Sequence, residues 1–338
     1  MAKRPKIVEE KSNYFTSEKT NLSFVPSGCT LLDCALGGGY VLGRIVNIVG
    51  DKSTSKTGLA TEALINFTSH YPNGVAAYRD AEGAFIPEYA EAMGLPLAKV
   101  DFGDPEKSIT TVEDLERDLT KFVDQQDKAG EPGLYIIDSL DALSDEAELE
   151  REIGEATYGG NKAKQLSTMF RKITARIERS KVLFIVISQV RDNIGAMFGE
   201  KHKRSGGKAL DFYASQIFWL SHMKTLDKTI NKVKRPYGIV IKAKVKKNKI
   251  GMPMREALFE FHFGFGIDDL GASLNWLKEV GRLDAVELKE SGLKEYISQL
   301  DKLDNIDYRT EQKQVAIAVK GVWKEIEETF LPTRQKYA

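Results

Sequence analysis

The chain has 338 residues, 42% hydrophobic and 29% charged, with 49 Lys and Arg balanced by 49 Asp and Glu. That composition excludes large-scale disorder and supplies enough apolar mass for one large core with a smaller unit beside it. It also excludes a global basic field, so any affinity for a polyanion must come from local clusters.

The N-terminal Met1-Ala2-Lys3-Arg4-Pro5-Lys6 has no apolar stretch behind it of the kind a secretory signal needs, and no run approaches the ~20 apolar residues of a membrane span. The expectation is a cytoplasmic protein that contacts no membrane. Residues 1–24 are polar and aperiodic and read as an arm, ordered only by packing on something else. Cys29 and Cys34 lack the paired spacing and His neighbours of a zinc site and read as core thiols.

The first strong element is an apolar strand, Arg44 to Val49, running into Gly50-Asp51-Lys52-Ser53-Thr54-Ser55-Lys56-Thr57. Leu59, Ala60, Ala63, Leu64 and Phe67 follow at helical spacing. A strand, a tight polar loop and a helix opening on Lys-Thr make a phosphate cradle. Backbone N–H groups turn inward, Lys56 reaches the β- and γ-phosphates, and the Thr57 hydroxyl is offered to Mg²⁺. Gly50, Asp51, Lys52, Ser53, Thr54, Ser55, Lys56 and Thr57 are therefore predicted to bind a nucleoside triphosphate. Ser55 stands where a second glycine normally precedes the lysine, and its side chain restricts the loop, which makes binding the firmer expectation and fast hydrolysis the weaker one.

Val75 to Tyr78 predicts the next strand, with Asp80 and Glu82 just past its carboxyl end. Glu82 is the candidate to orient and deprotonate an attacking water. Val112, Leu115, Leu119, Phe122 and Val123 place a helix over Ser108 to Asp127, behind a Ser cap. The strand Leu134 to Ile137 ends in Asp138. Neighbouring parallel strands open on one crevice, so this carboxylate is the candidate to hold Mg²⁺ or its water shell. A helix bearing Ala163, Leu166, Met169, Phe170, Ile173 and Ile177 leads to the strand Val182 to Ile187. Beyond it, Gln189 is placed to sense a γ-phosphate and pass the signal into a glycine-rich basic segment from Arg191 to Lys208.

Strands over Gln216 to Leu220, Tyr237 to Ala243 and Ala257 to His262 complete the alternation. The Lys and Arg run from Lys224 to Lys249 reads first as a solvated face. Past about Asp269 the pattern becomes helical, with Leu274, Leu277 and Val280, then Val315, Val319, Val322, Ile326 and Phe330, as expected buried stripes. The whole predicts an α/β fold, a mostly parallel central sheet flanked by helices, with a core over residues 25–268 and a small C-terminal helical domain over 269–338.

Several blocks in this order resemble the RecA family of recombinases. They are Gly28-Cys29-Thr30-Leu31-Leu32-Asp33, Gly43-Arg44-Ile45-Val46, Asp80-Ala81-Glu82, Ile136-Ile137-Asp138-Ser139-Leu140, Ile187 to Gly199 with Gly206-Gly207-Lys208-Ala209-Leu210, and Val245-Lys246-Lys247-Asn248-Lys249-Ile250. Together they span roughly Pro26 to Gly281. The resemblance implies a RecA-like ATPase core that filaments on single-stranded DNA and pairs it with duplex DNA for strand exchange, with DNA-stimulated ATP hydrolysis. It makes Glu82 the catalytic glutamate, Asp138 the metal-site aspartate and Gln189 the coupling glutamine. Tyr89 falls where the family stacks a ring on adenine. Lys247 and Lys249 match lysines that reach the neighbouring protomer's γ-phosphate. Ile153 and the tip Tyr158-Gly159-Gly160 match a first DNA loop, with Lys164 and Arg171 beside it. Ile194 and Met197 match base wedges of a second, with Arg191, Lys203, Arg204, Gly206, Gly207 and Lys208 at the DNA backbone.

A RecA-like helicase motor and a non-hydrolysing ATP-dependent mediator are the competing readings. Ser55, an arm shorter than that of bacterial members and the lack of an acidic tail mark a divergent member, and a bacteriophage is one source that would fit.

Overall fold

The computed structural model describes residues 22–149, 161–192, 202–204, 207–300, 302–334 and 336. At the start, β1 (Phe24–Val25) and β2 (Tyr40–Val41) pair antiparallel around helix α1 (Thr30–Leu36). Strand β3 (Ile45–Gly50) is buried throughout, as its largely apolar text implies for a central parallel strand, and its one buried side-chain amide, Asn47, donates to the Val186 carbonyl and the Ser188 hydroxyl. It feeds helix α2 (Lys56–His70), whose Leu59, Ala60, Ala63, Leu64 and Phe67 are buried. Then come β4 (Val75–Asp80), α3 (Pro87–Ala92), β5 (Val100–Asp101), α4 (Val112–Ala129), β6 (Gly133–Asp138), α5 (Glu146–Leu149), α6 (Asn161–Arg179) and β7 (Val182–Asp192).

The rest comprises β8 (His202–Arg204), α7 (Gly207–Tyr213), β9 (Gln216–Ile230), β10 (Val233–Asn248), β11 (Glu256–His262), β12 (Gly266–Asp268), α8 (Asp269–Glu279), α9 (Leu293–Leu300) and α10 (Asn305–Thr329). The main sheet runs β12-β11-β10-β9-β3-β7-β6-β4-β5. From β9 to β5 the neighbours are parallel, while β10, β11 and β12 add an antiparallel wing. Two apolar layers fill its faces. One is built on α1, α2 and the C-terminal helices, the other on α4, α6 and α7. The strands β3, β7, β6 and β4 thus point their carboxyl ends to one edge, where a doubly wound sheet opens its crevice. Among the described residues no helix is long and apolar enough to cross a membrane.

The structure changes three expectations in detail. Helix α4 is capped not by Ser108 but by Thr111, which exchanges hydrogen bonds with Asp114 in a capping box. Val280 and Phe330 are each the residue that ends a helix, and Phe330 is 75% exposed, so neither belongs to the buried stripe. Strands β9 and β10 continue far beyond Leu220 and before Tyr237, forming a long hairpin turned at Asn231 and Lys232, both at positive φ. Its outer part, carrying Lys224, Lys228, Lys234 and Arg235, is exposed, as expected for the basic run.

Candidate active site

The phosphate-type loop closes on itself. The Thr54 hydroxyl and the Lys56 ammonium both donate to the Asp51 carbonyl, each at 2.8 Å. Thr54 lies so close to the end of β3 that a Cβ on Gly50 would sit 2.4 Å from its Oγ1, so only glycine fits there. Ser55 has φ 54° and ψ 38°, the left-handed conformation for which glycine is the ordinary choice, and α2 starts directly after it. The serine thus keeps a glycine-type backbone at a cost of roughly 1–2 kcal/mol.

Register brings the other groups to this loop. Asp80 ends β4 opposite Asp138 at the end of β6, and Gly50 pairs with Gln189 of β7. The Thr57 hydroxyl donates to Asp138 Oδ2 at 2.6 Å, and the Tyr78 hydroxyl donates to the same oxygen at 2.7 Å. Burial pushes the Asp138 carboxyl above its usual range, the two hydroxyls hold it down, and Glu82 and Asp80 push it further up. Burial also lowers the Lys56 ammonium, against the pull of Asp138, Glu82, Asp51 and Asp141. A hydroxyl and a carboxylate side by side are hard oxygen donors of the kind Mg²⁺ takes.

Asp80 organises the turn after β4. Its Oδ1 accepts from the N–H groups of Glu82, Gly83 and Ala84, and its Oδ2 from that of Phe85. This presents Glu82 at the crevice, where Gln189 Nε2 donates to Glu82 Oε1 at 2.6 Å. The Gln189 backbone N–H is itself fixed by Asp141 Oδ2 at 2.7 Å. Two residues on, β7 pairs with β8, with Arg191 opposite Lys203 and Val190 opposite Arg204.

Tyr89 on α3 lines a cavity of about 250 Å³ that begins at Ser55 and Thr57. Lys56, Thr57, Asp138, Glu82, Gln189 and Tyr89 are thus gathered around one loop. Lys247 and Lys249 are not. Lys247 is level with Ile217 and so with Asn47, and the Lys249 N–H bonds Ser215, whose own N–H bonds Ile45. Lys249 therefore lies about five residues from Gly50, roughly 17 Å of strand at ~3.4 Å per residue, toward the opposite edge of the sheet. There both ammonium groups donate to the Phe212 carbonyl, at 3.0 and 3.3 Å, and Lys247 also to that of Asp211, at the carboxyl end of α7.

Of the residues expected on DNA, Lys164 and Arg171 are exposed two turns apart on α6, hence on one face. Lys208 is exposed at the start of α7. Arg191, Lys203, Arg204 and Gly207 are described by backbone alone, and Ile153, Tyr158, Gly159, Gly160, Ile194, Met197 and Gly206 lie outside the described residues. Sequence reasoning missed Tyr78 and Asp141 and weighed Asp80 only as a rival of Glu82. Nothing in the sequence set Tyr78 apart from an ordinary core aromatic.

Fold and crevice together define a phosphate-loop protein of the doubly wound α/β class. The chain matches the RecA N-terminal domain over residues 12–268 and belongs to the RecA family. Protein RecA of Gloeobacter violaceus is 37% identical over 256 residues, covering 76% of this chain and 65% of that protein. The Nostoc punctiforme Protein RecA is 36% identical over 257 residues, covering 76% of this chain and 67% of that protein. That of Synechococcus sp. (strain CC9902) is 35% identical over 265 residues, covering 78% and 66%. The chain thus spans about two thirds of the length of the curated relatives it matches.

Proposed function

We propose that this protein is an ATP-dependent recombinase that assembles on single-stranded DNA and exchanges strands with a homologous duplex. The observation that carries the reading is the 2.6 Å hydrogen bond from Gln189 to Glu82. It joins the carboxylate best placed to act on water to the strand that runs into the Arg191–Lys203 ribbon, so the state of one bears on the other.

In the proposed cycle the loop amides and Lys56 grip the triphosphate, and Thr57 and Asp138 are the residues that would hold Mg²⁺. An ion held there would supply positive charge to the phosphate oxygens. Glu82 accepts the proton of the attacking water, and Gln189 sets its orientation. The Tyr89 ring stacks on the base. Lys247 and Lys249, set far from their own loop, supply positive charge to the nucleotide of a neighbouring protomer, as arginine fingers do elsewhere. Cations and glycine amides of the two loops hold the DNA backbone without regard to sequence, and base pairing reads homology. Residues 25–268 carry these activities, residues 269–338 form the small C-terminal unit and residues 1–24 an arm toward a neighbour.

The test is ATP turnover with and without single-stranded DNA, paired with strand exchange on the same preparation. DNA-stimulated turnover with exchanged product is expected, and Glu82→Gln should cut turnover by at least ~100-fold while nucleotide still binds. Turnover without exchange would indicate a motor instead, and normal hydrolysis by the Glu82→Gln protein would overturn the assignment of the base.

A further inference from the structure

We infer that the base pocket selects poorly between adenine and guanine, so that the site takes purine nucleoside triphosphates as a class. This rests on the reading of the loop as a triphosphate site.

The cavity beside Ser55 is walled by Phe85, Ile86, Tyr89, Phe261 and Phe263. Phe261 packs so tightly on α2 that a Cβ on Gly58 would lie 2.4 Å from its ring, which sets a flat apolar wall directly against the helix backbone. Such walls hold any purine by stacking and area. Telling the bases apart is a different task. Adenine offers an amino donor at the position where guanine offers a carbonyl acceptor. A reader of that difference must be fixed as donor or as acceptor: a carboxylate, an ammonium, an amide or a backbone group.

Among the described residues lining this cavity there is no charged or amide side chain. The polar side chains there are hydroxyls, which both donate and accept and so satisfy either base. Two of them are already engaged: Thr57 donates to Asp138, and Thr61 donates to the Thr57 carbonyl. Four backbone donors along the α3 side of the lining are engaged as well. Those of Ala84 and Phe85 turn onto Asp80, and those of Tyr89 and Ala90 onto the Ile86 carbonyl. Asp80 therefore shapes the turn at the expense of base reading.

A pocket built this way discriminates by shape, which gives at most modest ratios, whereas a hydrogen-bonding site gives ratios of about 10⁴ or more. The experiment displaces a fluorescent ATP analogue from the full chain, in Mg²⁺, with ATP, GTP and inorganic tripolyphosphate in turn. ATP and GTP should compete within about tenfold of each other, both better than tripolyphosphate. Tyr89→Ala should weaken ATP and GTP by a common factor and leave tripolyphosphate unchanged. A preference for ATP of a hundredfold or more, or a Tyr89→Ala effect confined to one base, would overturn the inference. Failure of all three compounds to compete would overturn the triphosphate reading and the inference with it.

Discussion

At the scale of single residues, Ser55 is the departure with the clearest energetic content. Its left-handed backbone is what the loop needs, and the serine side chain is what makes that backbone costly. Ser55→Gly removes the penalty but gives the unfolded chain more freedom, so the net gain should stay below about 1 kcal/mol. A β-branched residue tolerates this region worse, and Ser55→Val should destabilise by about 2 kcal/mol and weaken triphosphate binding. Denaturant midpoints of both variants check the order. An equal effect of glycine and valine would mean that the loop relaxes away from this conformation. The sequence marked the position, since a serine before the lysine breaks the usual pattern, but not that it holds a glycine-like φ. Likewise Asp138 was legible from the strand it ends, whereas the Tyr78 hydroxyl that shares its oxygen was not, because a buried tyrosine reads as core.

At the scale of elements, the longer strands of the parallel half were legible because burial on both faces leaves mostly apolar text, whereas the two-residue β5 was too short to show a pattern. The outer part of the β9–β10 hairpin was not. Past Leu220 both faces meet water, alternation fades, and the hydrogen-bond ladder alone carries the strands on. The β7–β8 ribbon and α7 form the element that joins Gln189 to the predicted DNA cations. Replacing Lys203, Arg204 and Lys208 with Ala should weaken single-strand binding and flatten its salt dependence. Each lost phosphate contact removes about 0.7 from the log–log slope, or about 2 for all three. An unchanged slope would take these cations off the DNA.

At the scale of the whole molecule, the C-terminal helices share one apolar layer with α1, α2 and the sheet, and α1 and α2 carry the buried carboxylate Asp33 and the half-buried Glu62. Burial raises Asp33 and Glu62 to about 7 each. Both bind protons more tightly folded than unfolded, so their contribution is full below about pH 4 and is lost as pH rises through 7. Stability should therefore fall between about pH 4 and 8 by up to roughly 4 kcal/mol for Asp33 and roughly 3 kcal/mol for Glu62. Glu62→Gln, which keeps an acceptor for the Ile267 N–H, should flatten that fall, and an unaltered profile would assign it to other groups. The placement of Lys249 near the opposite edge from Gly50 reaches furthest. On the proposed arrangement each protomer carries two unlike half-sites, so a run of protomers always contains one complete site fewer than its members, and short runs waste the most. Two inactive proteins, one with Lys56→Ala and one with both Lys247→Ala and Lys249→Ala, should then recover turnover when mixed, because about one junction in four pairs an intact loop with intact lysines.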